Sequence, residues 1–211
     1  MNNKTPLFRA LMKSLSDYPA LRRLYLTLKG VGFSEKHWAR VVMDRETKEI
    51  VNSLSPGHLA TLEISGSSWS QIPFKGYKAL HYPDFDICES ILEETFDLII
   101  AEQVFEHLLW PYRAGRNVYK MLNQNGCFLV TTPFLVRVHD EPTDCSRWTE
   151  MGIKYFLAEC GFDVKRIQTG SWGNGACVRA NFFKWVEYRP WFHSLKNDPA
   201  FPVVVWALAR K

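Results

Sequence analysis

"FDLIIAEQVFEHL", residues 96–108, decides the fold. Its centre, Leu98 to Ala101, is apolar at every position. A strand of that kind is buried on both faces, as in a parallel sheet covered by helices. The pattern predicts a strand over residues 96–104. Working outward, further short apolar runs predict strands at 59–65 ("LATLEIS"), 77–82 ("YKALHY"), briefly at 85–87 ("FDI"), and at 127–134 ("CFLVTTPF"), 162–170 ("FDVKRIQTG") and 201–210 ("FPVVVWALAR"). Between them lie helical segments. One runs over 111–123 and opens at Pro111, whose fixed φ suits a first turn. Another runs over 146–161, with Gly161 as its stop. Strands alternating with helices give an α/β layer fold with a largely parallel sheet.

Ahead of this core, Leu7, Leu11 and Leu15 form one apolar stripe, and Leu21, Leu24, Tyr25 and Leu28 form another, divided at Pro19. A helix over about 35–54 follows, with Ser34 as its cap. Residues 1–55 are therefore expected to be a helical cap or lid. Residues 56–170 are the core, and 171–211 an insertion and final strand of the same domain. The insertion, 171–200, is expected to contain a helix rich in Phe, Trp and Tyr.

The 211 residues are 46% hydrophobic and 23% charged, a composition that supports one packed domain. Residues 1–30 hold six cations against Asp17 alone, a balance of +5, which leaves −1 for the rest of a chain whose net charge is +4. Basic charge confined to one amphipathic segment argues against a nucleic-acid enzyme. It leaves three readings: a solvated helix face, an acidic partner, or transient contact with an anionic membrane surface. The five cysteines form no C-x-x-C pair, so no metal site is expected. With no leader pattern and no apolar run of spanning length, the expected location is the cytoplasm.

The blocks "TLEISGSS", "FDLIIAEQVFEHL", "NVYKMLNQNGCFLVTTPF" and "HDEPTDCSRWTEMGIKYFLAECGF" stand in the order found in class I S-adenosylmethionine (SAM)-dependent methyltransferases, and the chain resembles their type 11-like group over about residues 58–170. The resemblance implies a Rossmann-like, mostly parallel twisted sheet flanked by helices, with an N-terminal helical cap and an antiparallel last strand. It implies SAM as cofactor and methyl transfer to oxygen or nitrogen of a small-molecule acceptor such as a sugar, glycan precursor or natural-product intermediate. The alternative is a methyltransferase-like fold that has lost methyl transfer and serves as a scaffold or catalyses another reaction. A homodimer is compatible with either.

The family's turn after its first strand has glycines at the second and fourth places after an acid. Here Ser65 and Ser67 hold those places, with Gly66 between them and Trp69 beyond. Glu63, Ser65, Gly66 and Ser67 are expected to line the cofactor, unless Glu63 only anchors the turn. Asp84, or Tyr82 in its stead, is expected at the ribose, Asp86 and Ile87 at the adenine, and Glu102 and Gln103 at the methionine end. His107 and Glu106 either face the acceptor or cap a local helix. His139 is the candidate general base, since an imidazole accepts protons near neutral pH. Asp144 and Arg147 either hold the acceptor or pair with one another, and Trp172 and Asn174 are expected to close over it.

Overall fold

The computed structural model describes residues 36–139 and 142–211. The lid expected over residues 1–30, the cap Ser34, Asp140 and Glu141 lie outside the described residues. A 3-10 turn at Trp38–Arg40 leads into α1, Val41–Ser53. Strands β1 (Ala60–Ile64), β2 (Gly76–Leu80) and β3 (Phe96–Glu102) follow, then α2 (Pro111–Met121) and β4 (Leu122–Pro133). The remaining elements are α3 (Glu150–Glu159), β5 (Ile167–Trp172), α4 (Gly175–Asn181) and β6 (Val204–Arg210).

The six strands form one sheet in the order β2-β1-β3-β4-β6-β5. The β2-β1-β3-β4 half is parallel, and β6 runs antiparallel between β4 and β5. The chain moves from β1 to β2 on one side, then returns to place β3 on the other side of β1. Strand order therefore reverses between β1 and β3, and a ligand crevice opens beyond the carboxyl ends of these strands. Leu98 to Ala101 are wholly buried, as a strand covered on both faces requires. One face packs against α2 and α3 through Val118, Phe128, Ile153 and Leu157. The other carries α1 and the residues after β5, through Met43, Trp172 and Val178.

Several expectations shift in detail. Residues 85–87 are not a strand: Phe85 and Ile87 turn inward into the core within a run of turns, and no helix separates β2 from β3. The helix expected over 146–161 begins at Glu150, because Thr149 caps it by accepting from the Gly152 amide at 3.0 Å. Asp163 holds a 3-10 turn by accepting from the Lys165 amide, so β5 starts only at Ile167. The insertion's helix, α4, contains none of the aromatics expected in it. Asn181 ends it: its side chain is fully buried, donates to the Cys177 carbonyl and accepts from the Val186 amide. Phe182, Phe183, Trp191 and Phe192 follow in irregular chain and are exposed.

Gly170 on β5 lies opposite Trp206 on β6, and a Cβ there would stand 2.6 Å from the indole ring. A rigid ring held between strands cannot yield that space cheaply. Gly170→Ala should therefore destabilise the fold by about 1–3 kcal/mol. The midpoint of urea unfolding followed by tryptophan fluorescence checks this.

Candidate functional site

The turn after β1 is built on Glu63. Its side chain is fully buried and accepts from the Ser68 amide at 3.0 Å, the Trp69 amide at 3.1 Å and the Tyr77 hydroxyl at 2.5 Å. Burial first, and then the hydrogen bond and charge of Glu63, push the Tyr77 hydroxyl well above its ordinary pKa. Ser65 takes up φ +55°, a left-handed conformation that glycine adopts more easily, while its amide donates to Leu80. Gly66 is required by the turn itself: a Cβ there would lie 2.3 Å from Glu63 Oε1. The glycine thus makes room for the chain's own acid. Trp69 is buried and donates from Nε1 to Glu102 at 2.9 Å, while Arg40 pairs with the other Glu102 oxygen.

A cavity of about 550 Å³ opens beyond the strands' carboxyl ends. Ser65, Tyr82, Asp86, Ile87, Gln103 and His107 are among the residues that line it. Of the nine residues expected at the cofactor, it brings together Ser65, Asp86, Ile87 and Gln103. Asp86 Oδ1 accepts from the Cys88 amide, and the Gln103 side chain donates to Thr131. Glu102 instead faces a second cavity of about 310 Å³ with Arg40, Ser68 and Trp69. The turn 65–69 therefore has one end on each cavity. Glu63, Gly66 and Ser67 do not line the larger one, and Asp84 is exposed outside it.

At the other end of the larger cavity, the 3-10 turn Phe105–His107 is strapped by the loop before α3. The amides of Cys145 and Ser146 donate to the Glu106 carbonyl, and the Thr143 hydroxyl donates to the His107 carbonyl. His107 Nδ1 is bonded to the Thr143 carbonyl, so it carries the proton. The His107 and His139 rings stand edge to face, with centroids 5.1 Å apart. His139 is not among the residues that line the cavity; it sits beside His107. Partial burial lowers its pKa, against the pull of Asp144.

Asp144 and Arg147 form a two-pronged ion pair, and Asp144 also accepts from the His139 amide at 2.8 Å. Burial opposes the Asp144 charge, but Arg147 and the amide outweigh it and hold its carboxyl below the ordinary range. The pair fixes the loop. Trp172 and Asn174 do not reach the cavity. Trp172 is 2% exposed and donates to the Leu195 carbonyl, while Asn174 caps α4 and donates to the Ser194 and Lys196 carbonyls. Both belong to the packing of the insertion.

The sequence reading left Glu106 between the acceptor and a local cap. Its carboxylate is fully buried, neither oxygen has a hydrogen-bond partner among the described residues, and burial pushes its pKa up to about 8. The available signal was an acid four residues beyond the end of a strand with an apolar centre.

No family model matches the sequence, and no curated protein matches it. Solved structures do resemble it. One is a chain from the complex of a Haloferax volcanii methyltransferase with the Trm112 methyltransferase activator, at 10% identity and TM-score 0.50, covering 82% of this chain and 93% of that one. Others are a SAM-dependent methyltransferase from Archaeoglobus fulgidus (12% identity, TM-score 0.49, 82% and 94% covered) and an O-methyltransferase by description from Nostoc punctiforme (13%, 0.49, 88% and 66%). At such identities the likeness is one of fold, and the fold is the Rossmann-like methyltransferase type.

Glu63→Gln would leave an amide group facing donors that need an acceptor. The variant should lose about 1–3 kcal/mol of stability and free the turn around Trp69. The sign of a second effect is set by Tyr77. Its folded pKa lies above the unfolded value of about 10, so its contribution is complete below pH 10 and is lost as pH rises through the folded value. Parent stability should fall above about pH 10. Glu63→Gln should flatten that fall, because two of its three causes are removed. Urea unfolding between neutral and alkaline pH measures both effects.

Proposed function

We propose that the chain is a SAM-dependent methyltransferase that moves a methyl group to oxygen or nitrogen of a small molecule. The observation that supports this best is the convergence of Ser65, Asp86, Ile87 and Gln103 on one cavity at the switch point of the sheet. They come from the ends of three different strands, and the cavity's size suits a nucleoside-containing ligand. In this reading Ile87 offers apolar contact to an adenine, Asp86 a carboxylate to the ribose side, and Ser65 a close backbone approach. SAM itself supplies an electrophilic methyl carbon with a good leaving group. The protein's task is then to align the acceptor and exclude water.

The acceptor would enter at the His107 end. For a hydroxyl acceptor a proton must leave, and His139, packed behind the cavity-lining His107, is the base we assign to it.

One observation favours the second reading, a scaffold without methyl transfer. Glu63 and Glu102 are both committed to internal partners, the first to the turn and the second to Trp69 and Arg40. Calorimetric titration with SAM and with S-adenosylhomocysteine separates the two. Methyl transfer requires one site per chain and a rise in Tm with either ligand. Asp86→Ala should weaken binding about tenfold, a loss of roughly 1.4 kcal/mol. Absence of binding by both ligands would leave the scaffold reading.

A further inference from the structure

We propose that Glu106, His107 and His139 form a site for one divalent transition-metal ion at the His107 end of the larger cavity. One ligand atom from each of the three lies within 4.8 Å of the others. Glu106 Oε1 is already 3.7 Å from His107 Nε2. Ligands of a tetrahedral ion stand about 3.4 Å apart when each bond is about 2.1 Å, so modest side-chain rotation completes the set.

The second observation is independent of the spacing. The Glu106 side chain is fully buried, and neither oxygen has a hydrogen-bond partner among the described residues. A buried carboxylate in that state needs a cation or a proton. The nearby guanidinium of Arg147 is held two-pronged by Asp144, and the amides of Cys145 and Ser146 are directed to the Glu106 carbonyl. The chain leaves the carboxylate's demand open.

The His107 imidazole is prepared in the manner of a metal ligand. His107 Nδ1 donates to the Thr143 carbonyl, which leaves Nε2 with its lone pair on the side of Glu106. His139 Nδ1 stands 3.3 Å from Asp144 Oδ2 and 3.3 Å from Arg147 Nη2. The guanidinium can only donate and so favours the other tautomer; binding through Nε2 requires Nδ1–H turned to Asp144, the carboxylate–histidine–metal arrangement. Two histidines and one carboxylate suit zinc or iron(II) and leave coordination positions open. His107 lines the cavity, so an open position is accessible from it. If the methyl-transfer reading holds, the ion would bind an acceptor oxygen and lower its pKa, taking over the part assigned to His139 as base.

The test uses the full chain freed of metal with a chelator, titrated calorimetrically with Zn²⁺ in the absence of SAM and acceptor. Its outcome is thus separate from the methyl-transfer reading. One ion per chain is expected. His107→Ala and His139→Ala should each weaken binding by about 100-fold or more, and Asp144→Asn by about 10–100-fold. Cys145 is exposed, with Sγ 3.8 Å from the His107 carbonyl, so Cys145→Ser is the control and should change nothing. No binding, binding indifferent to both histidine variants, or binding lost in Cys145→Ser would overturn the proposal. Should a histidine variant fail to fold, Co²⁺ spectra of the unaltered chain decide. Visible bands without thiolate charge transfer support the site, and thiolate charge transfer refutes it.

Discussion

The cleft depends on one buried carboxylate. Glu63 ends β1 with a charge that is cut off from water, and it is tolerable there only because two amides and a phenol converge on it. Satisfying Glu63 sets the path of residues 65–69. That path forces the left-handed Ser65, excludes a side chain at Gly66, and seats Trp69 where its indole reaches Glu102. Glu102 in turn fixes Arg40. The division of the carboxyl edge into two cavities follows from this chain of obligations. Tyr77 ties the same acid to β2, so the turn is anchored to the two strands on one side of the switch point.

The antiparallel half of the sheet has a different task. β6 lies between β4 and β5, and its return closes the region after β5 against α1. Glu150, in the first turn of α3, accepts from the hydroxyls of Thr169 and Ser171, which fastens that helix to β5. The loop that carries His139, Asp144 and Arg147 is therefore held between a rigid strand and a helix fixed to the sheet. This holds the His107 end of the larger cavity in place.

The sheet was legible because its strands are apolar runs whose burial depends on local pattern: Leu98 to Ala101 and Phe128 to Val130 could hardly lie elsewhere. The irregular parts were not, because their form rests on partners distant in sequence. Asn181 stops α4 through a buried amide network, and nothing in the aromatic run after it signals that ending. Trp172 beside two glycines reads like a mobile flap, but Trp38, well over a hundred residues earlier, shares the cluster that buries it. Asp86, Ile87 and Gln103 were legible as cleft residues because strand ends at a switch point must face the crevice. Glu63 was legible as an acid at the turn with two open roles, and the contacts from Ser68, Trp69 and Tyr77 favour the anchor.

Glu63 and Glu106 are two buried carboxylates under opposite conditions, and the contrast explains where chemistry can reside. Around Glu63 the turn's amides point at the side chain, so its charge is neutralised by the fold and is unavailable to a ligand. Around Glu106 the strap's amides point at the main-chain carbonyl, and the side chain is buried without them. Unmet electrostatic demand raises the carboxyl's proton affinity and draws any cation that can reach it. It also concentrates near two imidazoles, one facing the cavity and one held by an ion pair. A fold that satisfies its first acid and leaves the second without hydrogen-bond partners has separated an anchored end of the cleft from one with unmet electrostatic demand.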